Sequence, residues 1–210
     1  MDELQTNNRV FLCGAPLGEP VFSHLGRQAR FYQFPLEVMR LSGAADRLNI
    51  VLRESQLPDV KPARSGLLEV WGELRSFNNR SGVGHRLVIT VFARGLYPAS
   101  EALWENRVEL SGTLCKTPVL RVTPMGREIC DLLVAVNRPY GRSDYLPCIV
   151  WGANARKAAE WGVGQTVELS GRIQSRDYIK NRDGQAVKLT AYEVSASEIR
   201  PLGADDDDPE

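Results

Sequence analysis

Apolar and polar side chains alternate along most of this chain, as they do in β-strands that bury one face. Val108, Leu110 and Gly112, for example, are separated by polar residues. We predict a strand there and further strands at residues 129–136, 147–151, 166–173 and 187–194, with a turn and a short strand within residues 118–126.

One short helix interrupts these strands. Residues 153–161 (ANARKAAEW) are strong helix formers, and Gly162 after them is a typical helix end. Farther along, Asp183-Gly184 predicts a hairpin turn at residues 181–184. About five strands with a helix between the third and fourth indicate a small closed barrel of the oligonucleotide-binding (OB) type.

The chain contains this pattern twice. Residues 8–14 (NRVFLCG) resemble residues 106–112 (NRVELSG), and further matches keep an offset of 98 to 100 residues. A single period of this length indicates two copies of one domain. We therefore predict an all-β chain of two tandem five-stranded OB-fold barrels, at residues 1–98 and 105–201, each with a small helix. Pro58 limits the N-terminal helical segment, residues 54–61, to one turn at most.

The charge is distributed unevenly. Lysine and arginine total 26, aspartate and glutamate also total 26, and five of those acidic residues lie within residues 205–210. The rest of the chain therefore has a net charge of +5. A basic body with an acidic tail, here residues 202–210, is typical of nucleic-acid-binding proteins, although a solubilising terminus would give the same pattern.

The remaining composition argues against secretion, membrane insertion and catalysis. The four cysteines form no Cys-x-x-Cys pair and lie in apolar runs, so we expect buried, reduced thiols. Neither a signal peptide nor a membrane-spanning run is evident, so we expect a cytoplasmic protein. His24 and His85 have no metal-binding spacing, and segments 81–84 and 162–164 lack the lysine of a phosphate loop. We expect no enzyme and no cofactor.

The C-terminal copy resembles the bacterial single-stranded DNA-binding protein family. Four segments carry this resemblance, and they are residues 106–112 (NRVELSG), residues 118–126 (PVLRVTPMG), residues 133–138 with 149–152 (LVAVNR and IVWG), and residues 167–172 through 176–178 (VELSGR and RDY). The N-terminal copy matches weakly. The resemblance implies nucleoid-associated, sequence-independent binding of single-stranded DNA during replication, repair or recombination, by an assembly of four OB folds.

Aromatic residues occupy the positions at which this family usually stacks on unpaired bases. They are Tyr140, Tyr145, Trp151 and Tyr178. Stacking contributes roughly 1–3 kcal/mol per base, a magnitude for which members of this family are themselves among the examples. Packing in the core is the alternative interpretation for Trp151.

Basic residues near these rings are candidates for phosphate contacts. They are Arg121, Arg138, Arg142, Arg176 and Lys180. Arg121 and Arg176 match positions that are commonly basic in the family. For Arg142 and Lys180, a solvated loop charge is an equally good interpretation.

The N-terminal copy has no ring at the four corresponding positions, which hold Ser42, Arg47, Arg53 and Asn79. Phe77 is a candidate replacement two positions away. We expect this copy to support assembly and to bind DNA weakly, through charge. Two barrels per chain would require only a homodimer to present four.

A second class of function remains open from the sequence. OB-fold barrels serve many purposes, so an accessory or interaction module that binds chiefly protein is the alternative. Outward-facing rings would favour DNA, and inward-facing rings would favour the alternative. The acidic tail lacks the apolar tip through which family members recruit replication and repair proteins, which leaves that role in doubt.

Overall fold

The computed structural model describes residues 7–26, 28–79, 87–182 and 185–203. Among these residues the chain divides into two compact units. The C-terminal unit contains residues 7–8, 108–172 and 193–203, and the N-terminal unit contains residues 9–107 and 173–192. The units therefore differ from the predicted ranges 1–98 and 105–201, mainly because residues 173–192 cluster with the N-terminal unit. The acidic residues 205–210 and His85 lie outside the described residues.

The N-terminal half forms a closed five-stranded barrel with one added strand. Its elements are β1 (Asn8–Pro16), β2 (Val21–Leu25), β3 (Arg30–Met39), β4 (Ala45–Arg53), a 3₁₀ helix (Glu54–Asp59), β5 (Leu68–Asn78) and β6 (Leu87–Pro98). Strand β1 pairs with β3 and β5, and β3 also pairs with β4. Strand β6 closes the barrel, antiparallel to β5 and parallel to β4. Strand β2 extends the sheet beside β3.

The C-terminal half repeats this topology. Its elements are β7 (Glu105–Leu114), β8 (Val119–Val122), β9 (Glu128–Arg138), a 3₁₀ turn (Pro139–Gly141), β10 (Arg142–Trp151), α1 (Gly152–Ala159), β11 (Thr166–Arg182) and β12 (Gln185–Pro201). Strand β7 pairs with β9 and β11, and β12 closes the barrel between β11 and β10. Strand β8 extends the sheet beside β9. The predicted fold class, two five-stranded OB barrels, is confirmed.

Each barrel has a glycine where its first strand approaches its third strand. A Cβ atom on Gly14 would lie 2.4 Å from the carbonyl oxygen of Glu37, and one on Gly112 would lie 2.5 Å from that of Ala135. Real Cβ atoms do not approach backbone this closely, so only glycine fits where β1 meets β3 and β7 meets β9. This constraint gives a physical reason for the glycine that ends both repeated segments.

The interior of each barrel is apolar and mostly aliphatic. Leu12, Leu36 and Ile50 are fully buried in the N-terminal barrel, as are Leu110 and Leu146 in the C-terminal barrel. No helix among the described residues is long and apolar enough to cross a membrane.

All four cysteines are free thiols. Cys13, Cys130 and Cys148 are buried, as predicted, and burial raises the pKa of Cys148 strongly. Cys115 is half-buried, and its Sγ lies 3.2 Å from the carbonyl oxygen of Leu133.

Several predicted boundaries were wrong. Helix α1 begins and ends slightly earlier than residues 153–161, and the N-terminal 3₁₀ helix spans six residues rather than one turn. Strand β10 begins at Arg142, not at residue 147, so only the turn Pro139–Gly141 separates it from β9. Strands β11 and β12 run well beyond residues 166–173 and 187–194. Of the predicted hairpin turn 181–184, residues 183–184 lie outside the described residues.

Candidate nucleic-acid interface

Strand β10 places two aromatic rings on the outer surface of the C-terminal barrel. Leu146, Cys148 and Val150 point into the core, so the alternating positions, including Tyr145 and Trp151, face outward. Tyr145 is 48% exposed and Trp151 is 38% exposed. Six residues of extended strand separate these rings by roughly 20 Å. The strand therefore presents ring surface at both ends of one outer face, and Trp151 is not a core residue.

A hydrogen bond from the neighbouring strand orients the Trp151 ring. The indole Nε1 donates to Ser195 Oγ at 3.1 Å. Ser195 lies on β12, opposite Ile149 of β10 in the parallel pairing. Because Ser195 on the neighbouring strand satisfies the polar edge of the indole, the exposed part of the ring is held in a defined orientation.

Tyr140 lies in the tight turn between β9 and β10. Its backbone has φ 66° and ψ 32°, the left-handed region that side chains other than glycine rarely adopt. The side chain is completely exposed. A large ring held in a strained backbone, with no burial to offset the strain, is characteristic of functional positions rather than of structural ones.

The predicted cations of this unit have different environments. Arg121 pairs with Asp131, with Nη2 to Oδ1 at 3.0 Å, and this contact raises the pKa of the arginine. Arg138 Nε lies 3.0 Å from Oδ2 of Asp144, a fully buried carboxylate. Arg142 is exposed at the start of β10. Part of the charge of Arg121 and Arg138 is therefore already balanced by protein carboxylates.

The other three predicted site residues lie on β11, in the segment that clusters with the N-terminal unit. Arg176 is exposed, and its guanidinium lies 6.0 Å from the centroid of the half-buried Tyr178 ring. The Lys180 side chain lies outside the described residues. The structure thus places Tyr140, Tyr145, Trp151 and three arginines in one unit, and Arg176 and Tyr178 in the other.

A buried carboxylate fixes the hairpin segment that carries Tyr178. Asp46 of β4 is fully buried and pairs with Arg40, with Nε to Oδ2 at 2.6 Å. Its Oδ1 accepts hydrogen bonds from Ser175 N at 2.6 Å and Ser175 Oγ at 3.0 Å. The Tyr192 hydroxyl donates to the carbonyl oxygen of Arg47 at 3.1 Å. These bonds explain why residues 173–192 cluster with the N-terminal unit.

The N-terminal barrel confirms the register of the repeat. Arg53 ends β4 opposite Phe31, just as Trp151 ends β10 opposite Ile129. Arg47 is exposed and pairs with Glu37 at 3.2 Å, and Phe77 is 53% exposed.

Two rings of the N-terminal barrel were missed by reasoning from the sequence. Phe31 and Phe92 lie on its outer surface, with ring centroids 5.9 Å apart. The available signal was an aromatic residue at an outward position of an alternating strand, as in β3, where Phe34 and Leu36 point inward.

Known proteins match this chain in both sequence and structure. The model of the single-strand binding protein family matches residues 105–202. A single-stranded DNA-binding protein of Halalkalibacterium halodurans is 36% identical over 104 residues, which are 46% of this chain and 60% of that protein. One from Clostridium tetani is also 36% identical, with 46% of this chain and 70% of that protein covered.

The chain thus spans about 60% of the length of several of these relatives. A crystal structure of the wild-type single-stranded DNA binding protein from Thermus aquaticus has a TM-score of 0.71 and 22% identity, and the likeness covers 92% of each chain. That likeness shows a shared fold across both halves. The 36% identity to the Clostridium tetani protein, of which this chain covers 70%, shows that the chain belongs to the single-strand binding protein family.

Proposed function

We propose that this protein binds single-stranded DNA without sequence preference and protects it during replication, recombination or repair. The observation that carries the proposal is the exposure of Tyr140, Tyr145 and Trp151 on one barrel surface. Exposed rings stack on any unpaired base, because every base has a π-face. We place this activity in the cytoplasm, at the nucleoid, where bacterial DNA lies.

The arginines contribute the electrostatic part of this binding. Arg142 is exposed beside Tyr140, and Arg121 and Arg138 lie on strands β8 and β9 of the same barrel. Cations that neutralise phosphates release counterions from the strand, so affinity falls as salt concentration rises. The carboxylate partners of Arg121 and Arg138 reduce the contribution of these two arginines to phosphate binding. Arg142 therefore makes the larger electrostatic contribution.

The β11–β12 hairpin, in the other unit, carries further proposed DNA contacts. Tyr178 offers a fourth ring, and Arg176 and Lys180 flank it along β11. The Arg176 guanidinium already lies near the Tyr178 ring, which is the geometry of a cation–π pair. A stacked base would extend this arrangement.

A protein-interaction module is the weaker interpretation. It would leave the rings buried or dispersed, whereas Tyr140 and Tyr145 are exposed and the family relatives are named for binding single-stranded DNA. The same features favour a binding protein over an enzyme.

We also propose that the chain forms a homodimer presenting four barrels. Two barrels per chain support this proposal, because the family resemblance implies four per assembly. Light scattering at micromolar concentration should give twice the mass of the chain, and a stable single-chain mass would contradict the dimer.

The experiment that tests base stacking removes one proposed ring from each unit. We expect Trp151→Ala and Tyr178→Ala each to weaken binding to oligothymidine about fivefold or more, since one stacked base contributes roughly 1–3 kcal/mol. Titrations by fluorescence anisotropy measure the affinity, and thermal unfolding checks the fold.

Trp104→Ala is the matched control, because this tryptophan is 40% exposed and lies in the segment between β6 and β7. It should leave binding unchanged. A well-folded double variant that binds as tightly as the original protein would assign Trp151 and Tyr178 to packing.

A further inference from the structure

The N-terminal barrel carries a group of rings on its own outer surface. Phe31 of β3 pairs in register with His24 of β2 and with Arg53 of β4. Phe92 of β6 lies opposite Val51 of β4. Phe92 alternates with buried neighbours on β6, so its ring points away from the core.

These rings form one continuous surface across several strands. The His24 and Phe31 rings are stacked, with centroids 4.8 Å apart and planes inclined by 13°. The Phe31 and Phe92 centroids are 5.9 Å apart. Both phenylalanines are half-buried and His24 is exposed. Aromatic rings that reach solvent offer faces on which unpaired bases can stack.

Guanidinium groups surround the Phe92 ring. Arg94 and Arg75 lie 5.1 Å and 5.9 Å from its centroid. Both pair with the buried carboxylate of Glu73, Arg94 through Nε to Oε1 at 2.9 Å. Arg53 adds an exposed guanidinium at the end of β4. Cations beside rings that reach the surface provide the two contacts that a single strand needs, one for its phosphates and one for its bases.

The position of this surface corresponds to that of Trp151 in the other barrel. Val51 and Ile149 are equivalent in the repeat, and they pair with Phe92 and Ser195 respectively. The C-terminal barrel therefore has its ring on the middle of three strands. The N-terminal barrel has an arginine in the middle and a ring on the strand at each side. The equivalent triplets are Phe31, Arg53 and Phe92 in the N-terminal barrel and Ile129, Trp151 and Ser195 in the C-terminal barrel.

From this geometry we propose that the N-terminal barrel has its own base-stacking site, formed by Phe31 and Phe92. Unpaired bases stack on these rings, and Arg53 and Arg94 contact the phosphates beside them. The proposal rests on the proposed single-stranded DNA-binding function and deepens it, because it gives the N-terminal barrel a direct share in binding. It replaces the expectation that this barrel contributes charge alone.

The repeat itself supplies the test variant. Full-length protein with Phe31→Ile and Phe92→Ser carries, at both positions, the residues of the C-terminal barrel, so the fold should tolerate them. Titration with long oligothymidine should show affinity lowered about fivefold or more and fewer nucleotides covered per chain. Because a strand that covers fewer nucleotides also brings fewer phosphates to Arg53 and Arg94, the slope of log affinity against log salt should become shallower.

Two further variants complete the design. Phe31→Tyr with Phe92→Tyr keeps both rings and should keep the original affinity and coverage. Phe22→Ser is the matched control, because this phenylalanine is 54% exposed but contacts Tyr32, away from the Phe31 surface. It should not change binding.

The outcomes separate this inference from the proposed function. If the unmodified protein does not bind oligothymidine, the proposed function is wrong and the site is lost with it. If it binds, but the Ile/Ser variant folds and keeps the original affinity and coverage, the N-terminal site is wrong and the proposed function stands. If the Ile/Ser variant does not fold, Phe92→Ser alone is titrated, and unchanged affinity and coverage in that variant would overturn the site, whereas a loss of both with the Tyr/Tyr variant unaffected would support it.

Discussion

At the scale of single residues, Tyr140 best separates function from stability. A residue other than glycine at φ 66° costs roughly 1–2 kcal/mol. The exposed ring gains nothing from burial to offset this cost. We predict that Tyr140→Gly leaves the free energy of unfolding unchanged or raises it by up to about 1 kcal/mol, since glycine's extra freedom in the unfolded chain offsets part of the gain.

The same variant should bind oligothymidine several-fold more weakly, because it lacks the ring. Tyr140→Ala is the matched comparison, since it removes the ring but keeps the backbone strain. Chemical denaturation and anisotropy titrations measure both quantities. Full affinity in either variant would mean that Tyr140 does not stack on DNA.

Single-residue placement was only partly predictable from the sequence. The outward positions of Tyr145 and Trp151 follow from alternation with Leu146 and Val150. The left-handed backbone of Tyr140 could not be predicted from the sequence, because glycine is the residue usually found in that conformation. The Arg121–Asp131 pair was also hidden, since it joins side chains on two strands whose register the sequence does not give.

At the scale of elements, the β11–β12 hairpin depends on one buried carboxylate. Asp46 accepts two hydrogen bonds from Ser175 and pairs with Arg40. We predict that Asp46→Asn destabilises the protein by about 3–5 kcal/mol, the usual cost of removing one partner of a buried ion pair. Hydrogen exchange should increase most within residues 173–192.

Ser175→Ala removes only one hydroxyl contact and is the graded control, with an expected loss of about 1 kcal/mol. Oligothymidine affinity should fall with Asp46→Asn, because the segment carrying Tyr178 is no longer fixed. Unchanged exchange in residues 173–192 of the Asn variant would show that the hairpin is held by other contacts.

The lengths of these strands could not be predicted for a physical reason. Residues 174–182 are mostly polar, so this part of β11 has no alternation of apolar and polar residues that would predict a strand. The same reasoning misplaced the start of β10, where Ser143 and Asp144 interrupt the apolar run. Asp144 is nevertheless buried, paired with Arg138, so a polar residue occupies a position inside the strand.

At the scale of the whole molecule, the repeat made the architecture predictable. The closing glycines Gly14 and Gly112 and the buried pairs of Arg40 with Asp46 and Arg138 with Asp144 recur at the offset of 98 residues. What the repeat concealed was the N-terminal ring surface. Comparing the two copies position by position finds no ring at the places equivalent to Tyr140, Tyr145, Trp151 and Tyr178. The N-terminal rings lie instead on the strands beside β4, and only the pairing of β3, β4 and β6 in three dimensions shows that they are close together.

The most direct test of the account compares single-stranded with duplex DNA. Fluorescence anisotropy titrations of the unmodified protein with oligothymidine, and with a duplex of the same length, should be made at two salt concentrations. Stacked, paired bases offer no free faces to the exposed rings, so we predict clearly tighter binding to the single strand. Both affinities should fall as salt rises, and the preference for the single strand should persist, because stacking is not screened. Equal affinity for the two forms would contradict binding by base stacking.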